Sequence, residues 1–419
     1  MKTTPVKGTS DYLPADAALR DRIQSAILNT YKNHGFEHII TPALEDAENL
    51  DKSEGGDNLN LIFKILKRGD KLASALTSQD PSELSDMGLR YDLTLPLCRY
   101  YSANRAFLPN PAKLIQIDRV YRAERPQRGR DREFIQCDID IIGSDSIDCE
   151  TELIVTTAKA VEATGVGEFR IKINDRALLR GVLSKTGFEQ KDYDTVSVTF
   201  DKLDKIGRDG VVSELTDKGF SSEQVEKFSE FLDACPVSID DVGKYSDDTE
   251  AALRIKKIIS AVNEISGGKI EIVFDISLVR GQGYYTGTVF EIESKQFRGS
   301  IGGGGRYDNL IGKFIGESIP AVGFSIGFER IYWILKDNGM DAGLPAYKKI
   351  AVLYNEGDYV AAATAADEFR GEYDVTICAR LKKLGKQLAR LEERGFCGYV
   401  DIGDENADGA VLKLFSERV

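Results

Sequence analysis

From Asp16 to Gly35 the apolar positions Leu19, Ile23, Ile27 and Tyr31 recur every four residues and Gly35 ends the run, which predicts an amphipathic helix. Phe36 to Pro42 then reads as extended chain. Residues 43–88 are mixed and polar, and Phe63 to Leu66 followed by Arg68-Gly69-Asp70 predicts a hairpin. In Leu89-Arg-Tyr-Asp-Leu-Thr-Leu-Pro96, alternation predicts a strand with Tyr91, Leu93 and Leu95 on one face and Asp92 and Thr94 on the other. Residues 114–124 and 133–141 predict a strand, a polar loop and a return strand. The return strand sets Ile135, Cys137, Ile139 and Ile141 against Gln136, Asp138 and Asp140.

Residues 150–164 read as a helix and 169–174 as a strand. Between about 177 and 266 charged helical segments dominate, which predicts a helical insertion. A strand at 269–275 leads into Leu278-Val-Arg280-Gly-Gln-Gly-Tyr284-Tyr285-Thr-Gly287, followed by Gly302-Gly-Gly-Gly305-Arg306-Tyr307-Asp308. Gly323, Ser325 and Gly327 share one face of a strand that feeds a helix at Glu329. Residues 337–347 have linker composition, and a β-α-β-α-β alternation beyond them predicts a small α/β domain with a largely parallel sheet.

The chain has 419 residues, 42% of them hydrophobic, with no long apolar run, which sets an expectation of two or three packed domains in a cytoplasmic, non-membrane protein. Its N-terminus lacks the apolar core of a signal peptide. Six scattered cysteines without a C-x-x-C pair fit reduced thiols better than a disulfide framework or a zinc ribbon. His34 and His38 are the two histidines, near the end of the first helix, and are expected to be surface or packing residues there. Ser-His-Asp and Cys-His catalysis away from that helix are thereby excluded. A net charge of −13 argues against indiscriminate nucleic-acid binding. Local basic patches at 122–132 and 380–394 leave room for a structured RNA.

Three stretches carry candidate chemistry. Asp92 and Thr94 side by side suit an ammonium group, which offers donors and no acceptor. A row of Gln136, Asp138 and Asp140 on one strand face needs partners if buried, so it is either wet or lines a polar site. The glycine run ending in Arg306-Tyr307-Asp308, with Arg280 and the Tyr284-Tyr285 pair, would let backbone, guanidinium and phenol groups close around a small anionic ligand.

In this order along nearly the whole chain, these motifs resemble the histidyl-tRNA synthetases, which are class II aminoacyl-tRNA synthetases. Lys7-Gly-Thr-Ser-Asp11 and the helix–strand ending at Pro42 resemble the family's N-terminus and motif 1; 89–96 resembles its amino-acid-binding strand. Residues 122–143 resemble motif 2, 278–287 and 303–308 the two histidine-specific signatures, and 323–330 motif 3. The resemblance implies an α+β catalytic domain with a mainly antiparallel sheet flanked by helices, a helical insertion and a C-terminal α/β domain of anticodon-binding type. The corresponding segments are 1–176 and 267–336 for the catalytic domain, 177–266 for the insertion, 337–347 for a linker and 348–419 for the C-terminal domain. Family members commonly continue through a further helix, so the terminal domain is expected to be shortened.

The same resemblance implies a two-step reaction. L-histidine attacks the α-phosphate of ATP, giving histidyl-adenylate and pyrophosphate, and the 3′ end of tRNA(His) then takes the histidyl group. By motif position, Arg122 and Arg280 are the catalytic grips on the α-phosphate, and Glu124 and Arg330 join Arg122 in binding ATP, with Mg²⁺ bridging its phosphates and no resident metal. Asp92, Thr94 and Gln136 would hold the histidine ammonium. Asp140 would accept from the imidazole and Tyr285 would be its hydroxyl partner, with Tyr284 and Tyr307 closing the pocket. Gln127 and Arg130 are the candidates for the tRNA acceptor end, and a homodimer is the expected assembly. The rival expectation is a histidine-sensing regulatory subunit of ATP phosphoribosyltransferase; it typically lacks the C-terminal domain and much of the ATP-gripping set. A bulky residue at Gly304 or Gly305 is expected to damage substrate binding before folding.

Overall fold

The computed structural model describes residues 1–52, 60–279, 283–339, 348–403 and 410–415. It divides into two compact units, Met1–Met340 and Asp341–Val419. Among the described residues no helix is long and apolar enough to cross a membrane.

The first unit is built on an eight-stranded sheet ordered Glu37–His38, Ala112–Tyr121, Glu133–Ile142, Ala321–Gly327, Ser300–Arg306, Thr288–Ser294, Phe169–Asp175, Ile272–Phe274. Its central pairings are antiparallel, and the pair at each edge is parallel. Period-two alternation explains how the layers assemble. Cys137, Ile139 and Ile141 are buried toward the helices, while Gln136, Asp138 and Asp140 point the other way.

The helix Pro14–Asn33 buries Leu19, Ile23, Ile27 and Tyr31, and Gly35 beyond it takes φ +82°. It packs against Asp148–Thr164 and Phe328–Asp337. Tyr31 sends its hydroxyl to the Cys137 carbonyl at 3.3 Å, which satisfies a polar group that the core would otherwise strand. His34 is the C-cap residue of this helix, while His38 lies in the edge strand.

Two local expectations are corrected. Residues 63–70 do not form a hairpin: Lys64–Leu66 pairs with Ser85–Leu89, and the helix Asp70–Ser78 lies between them, entered through Gly69 at φ +57°. Residues 89–96 are not one strand either. The strand ends at Leu89 and a helix, Thr94–Asn104, begins with Pro96 in its first turn, where the missing N–H costs nothing. The alternating apolar residues Tyr91, Leu93 and Leu95 are buried all the same.

Five helices occupy the region between the sheet strands: Arg176–Lys185, Tyr193–Phe200, Leu203–Asp217, Ser222–Ala234 and Thr249–Ser266. Phe188, Phe200, Phe220, Phe228, Phe231 and Tyr245 form a connected aromatic cluster among them. The last helix instead packs on Asp148–Thr164 and on the strand Phe169–Asp175.

The second unit is a four-stranded sheet ordered Tyr373–Ala379, Lys348–Tyr354, Phe396–Asp401, Leu412–Leu414. Its first three strands are parallel, and the last adds an antiparallel edge that the sequence pattern did not announce. Successive residues of the central strand face opposite helices. Val352 packs with Ala362 and Ala366 of Tyr359–Phe369, whereas Ala351 and Leu353 pack with Leu391 of Leu384–Glu393.

Candidate active site

The polar face of the large sheet floors a cavity of about 1410 Å³. Asp92, Thr94, Arg122, Glu124, Gln127, Arg130, Gln136, Asp140, Tyr284, Tyr285, Tyr307 and Arg330 all line it. Residues singled out across the sequence thus meet in one place. Arg280 lies outside the described residues.

The floor is set by strand register. Gly323, Ser325 and Gly327 stand opposite Asp140, Asp138 and Gln136 on the neighbouring strand. Glycine is required at 323 because Asp140 takes the space: a Cβ there would lie 1.9 Å from Asp140 Oδ1. Gln136 Nε2 donates to Ser325 Oγ at 3.1 Å. The Tyr307 hydroxyl donates to Asp140 Oδ1 at 2.6 Å, so Tyr307 does more than close the pocket. Asp92 Oδ1 accepts from the Leu95 N–H at 3.2 Å, at the start of the helix Thr94–Asn104.

Three acceptors of this floor have no hydrogen-bond partner among the described residues: Asp92 Oδ2, Gln136 Oε1 and Asp138 Oδ1, all buried. An unsatisfied buried acceptor costs roughly 1–3 kcal/mol, so three in one cavity call for a ligand rich in donors. An ammonium group, with three donors and no acceptor, has that character. Burial raises the Asp92 carboxyl to about 6, opposed by the Leu95 N–H and by the Arg122 charge. Burial likewise raises Asp140 to about 7, against the pull of the Tyr307 hydroxyl. Asp138 is pushed well up by burial and by the charge of Asp140.

The rim has a different construction. The Arg122 backbone N–H donates to the Arg132 carbonyl at 2.9 Å, and its Nε donates to the Tyr91 carbonyl at 2.9 Å. Its guanidinium lies 5.1 Å from the Phe134 ring centre, with Nη1 at 3.9 Å from Glu124 Oε1. Glu124 Oε2 also lies 3.6 Å from Arg130 Nη1. Gln127 and Arg130 exchange backbone hydrogen bonds of 3.1 and 2.8 Å across a tight turn. Glu329 accepts two hydrogen bonds from Arg20, at 2.5 and 2.9 Å, which fixes the start of its helix. The next residue, Arg330, donates to the Ser300 carbonyl and sits 5.9 Å from the Phe297 ring centre.

Two sequence expectations about the glycine run change. Arg306 does not face a ligand: Nε and Nη2 each donate to Glu150 at 2.7 Å, and the side chain ties sheet to helix. A Cβ at Gly304 would lie 2.0 Å from the Gly323 carbonyl oxygen and one at Gly305 would lie 2.6 Å from that of Thr288, so substitution there strikes the sheet itself before any substrate.

Asp138, on the same polar face, also lines the cavity. Lys172, Glu291 and Glu293 also line the cavity, at positions that the sequence pattern does not single out. No local pattern marks them, because the ladder forms only when the two strands pair: Lys172 stands opposite Glu291 in register, and Arg170 opposite Glu293. Among the described residues no group of three or more His, Cys, Asp or Glu is placed to hold a metal ion.

Comparison with known proteins fits this geometry. The family model described as histidyl-tRNA synthetase matches residues 8–331. A histidine–tRNA ligase of Leifsonia xyli is 42% identical over 344 residues, covering 78% of this chain and 79% of that protein. A histidine–tRNA ligase of Christiangramia forsetii is 35% identical over 434 residues, covering 97% and 94%. Among solved structures, histidyl-tRNA synthetase from Nostoc sp. PCC 7120 superposes with a TM-score of 0.77 at 26% identity, covering 96% of this chain and 91% of that one.

Proposed function

The chain belongs to the histidyl-tRNA synthetase family, and on that footing we propose that it is a histidine–tRNA ligase that activates L-histidine with ATP and transfers it to the 3′ end of tRNA(His). The observation that carries this is the set of buried acceptors on Asp92, Gln136 and Asp138 that lack donors among the described residues, beside an Asp140 already engaged by Tyr307.

Histidine enters with its ammonium toward Asp92, Thr94 and Gln136. Its imidazole reaches Asp140, whose carboxylate accepts the ring N–H, while Tyr285 meets the other nitrogen; Tyr284 and Tyr307 wall the ring. Matching both a donor and an acceptor leaves an impostor's partners unpaired, which discriminates better than pocket size alone. The histidine carboxylate then attacks the α-phosphorus of ATP and pyrophosphate departs. Negative charge accumulates on the phosphate oxygens, and fixed guanidinium groups meet it without reorganising. Arg122 takes that role from one side, with its Nε already anchored on Tyr91. By motif position Arg280 takes it from the other, and Glu124 and Arg330 place ATP. Mg²⁺ is assigned to the MgATP substrate, since magnesium commonly binds through one or two carboxylates and substrate phosphates.

In the second step the terminal ribose oxygen of the tRNA attacks the histidyl carbonyl and AMP leaves. Gln127 and Arg130, exposed on the turn at the rim, meet the acceptor end. The C-terminal unit serves as the anticodon-binding domain, with Lys382, Lys383, Lys386 and Arg390 exposed at and beside the helix Leu384–Glu393. Residues 177–266 act as the insertion. A homodimer is favoured by the exposed apolar side chains Ile40, Leu44, Leu66 and Met87, which lie on or near the three-stranded sheet of Leu44–Asp46, Ser85–Leu89 and Lys64–Leu66. The cytoplasm, where tRNA is charged, is the compartment of this activity.

Histidine-dependent ATP–pyrophosphate exchange on the full-length protein tests the proposal. Exchange that requires histidine is expected; tight histidine binding without exchange would point to a histidine-sensing regulator instead.

A further inference from the structure

Three consecutive residues, Asn174-Asp175-Arg176, join the end of the strand Phe169–Asp175 to the first of the inserted helices. Each reaches a different part of the molecule. Asn174 is buried and donates from Nδ2 to the carbonyls of Ile276 and Leu278, both at 3.1 Å. Arg176 Nη1 donates to the carbonyls of Gly283 at 3.2 Å and Tyr285 at 2.7 Å. Its backbone N–H donates to the Gly287 carbonyl at 3.1 Å.

Asp175 turns the other way. Its Oδ1 accepts from the Ala177 N–H at 2.9 Å, capping Arg176–Lys185, and its Oδ2 accepts from Arg254 of Thr249–Ser266 at 3.0 Å. One short stretch therefore grips the backbone on both approaches to the Tyr284–Tyr285 pair and ties that grip to the helices.

Arg176 does not line the main cavity, so its effect must pass through the backbone it holds. The route is short. Tyr284 packs edge-on against Tyr285 with ring centres 4.9 Å apart and against Tyr307 at 6.1 Å, and Tyr307 donates to Asp140. A charged donor on a carbonyl holds it more firmly than a neutral one, and two carbonyls two residues apart on one guanidinium nitrogen define the pose of the turn between them.

We propose that Arg176, with Asn174 at the other approach, is a positioning residue for the histidine end of the pocket, setting the pose of Tyr284 and Tyr285 against the imidazole. The inference rests on the synthetase assignment above. Its signature is selectivity between substrates: the grip acts on the tyrosine pair, while ATP is held by the rim around Arg122 and Arg330. Losing the guanidinium weakens histidine and leaves ATP nearly untouched.

The test compares full-length wild type, Arg176→Ala, Arg176→Lys and Arg254→Ala by pyrophosphate exchange and by melting. Arg176→Ala is expected to raise KM for histidine about tenfold or more, with KM for ATP within about twofold. Arg176→Lys recovers at least a third of the lost kcat/KM, because an ammonium can donate to the same carbonyls. Arg254→Ala breaks the tie to the helix without touching those carbonyls, so it lowers the melting temperature with histidine KM within about twofold. Where Arg176→Ala does not fold, Arg176→Met keeps the stem's packing and takes its place.

Histidine KM unchanged in the Arg176 variant, or raised equally in Arg254→Ala, would overturn the positioning role and leave Arg176 structural. Absence of exchange in the wild type would instead remove the synthetase assignment, and this inference with it.

Discussion

The floor and the rim of the pocket meet ligands on opposite terms. Asp92, Asp138 and Asp140 are almost wholly buried, on a strand and at a helix start, with acceptor oxygens on Asp92 and Asp138 that no donor among the described residues satisfies. Arg122, Arg130 and Arg330 are partly or largely exposed on turns and helix starts, and each already has a protein partner. Buried acceptors are a fixed demand that a ligand must meet in one geometry, whereas guanidiniums anchored on backbone carbonyls, as Arg122 and Arg330 are, stand ready to meet negative charge as it develops. On the proposed function, specificity belongs to the floor and charge stabilisation to the rim.

The comparison breaks most visibly at Arg122. Arg122→Ala is expected to cut the adenylation rate by ~10²–10³, the scale of removing one fixed donor from a developing charge. Steady-state pyrophosphate exchange checks it, and a loss below tenfold would deny Arg122 its place in the chemistry.

Two glycines sharpen the picture next. Gly323→Ala crowds Asp140 Oδ1 and is expected to raise histidine KM about tenfold while the protein stays folded. Gly304→Ala meets the Gly323 carbonyl of the adjoining strand and should instead cost about 1–3 kcal/mol of stability in denaturant unfolding. Equal effects of the two on histidine KM would erase the distinction between floor and sheet.

A smaller effect comes from pH. An unfolded aspartate titrates near ~3.9, whereas native Asp92 and Asp140 are raised to about 6 and about 7. Between those limits the native protein keeps protons that the unfolded chain has released. The resulting stabilisation is present below the unfolded value and is lost as pH rises through about 6 and 7. Melting of the ligand-free protein should accordingly fall between mildly acidic and mildly alkaline pH, and Asp140→Asn should flatten the decline. A steeper decline in the variant would contradict the assignment. The smallest effect is reserved for Arg130→Ala, expected within about threefold of wild type in exchange and weaker in tRNA charging, in keeping with an exposed pair.

Much of this site could be read from residue order alone, for identifiable reasons. The Glu133–Ile142 strand alternates so strictly that its polar face had to be wet or ligand-lined, and Gly323, Ser325 and Gly327 fit beneath it in register. Asp92 and Thr94 line the cavity with the other candidates, but from a loop and a helix start rather than from a strand. Alternation there mimics a strand, while Pro96 sits comfortably in the first turn of a helix, and Asp92 is aimed by accepting from the Leu95 N–H in that turn. What stayed hidden depends on pairing between distant segments. Nothing local to Arg306 says that it bonds Glu150, nothing local to Tyr307 says that it donates to Asp140, and the Lys172–Glu291 ladder emerges when two strands distant in sequence are set side by side.

On the proposed function, Asp92 Oδ2 and Gln136 Oε1, which have no donor among the described residues, receive the histidine ammonium. Calorimetric titration of the protein with histidine and with imidazole-lactate, which carries a hydroxyl in place of the ammonium, tests it most directly. Imidazole-lactate is expected to bind at least about a hundredfold more weakly at neutral pH, because one donor replaces three and the charge is lost. Equal affinities for the two would show that the floor does not recognise the ammonium and would contradict the account.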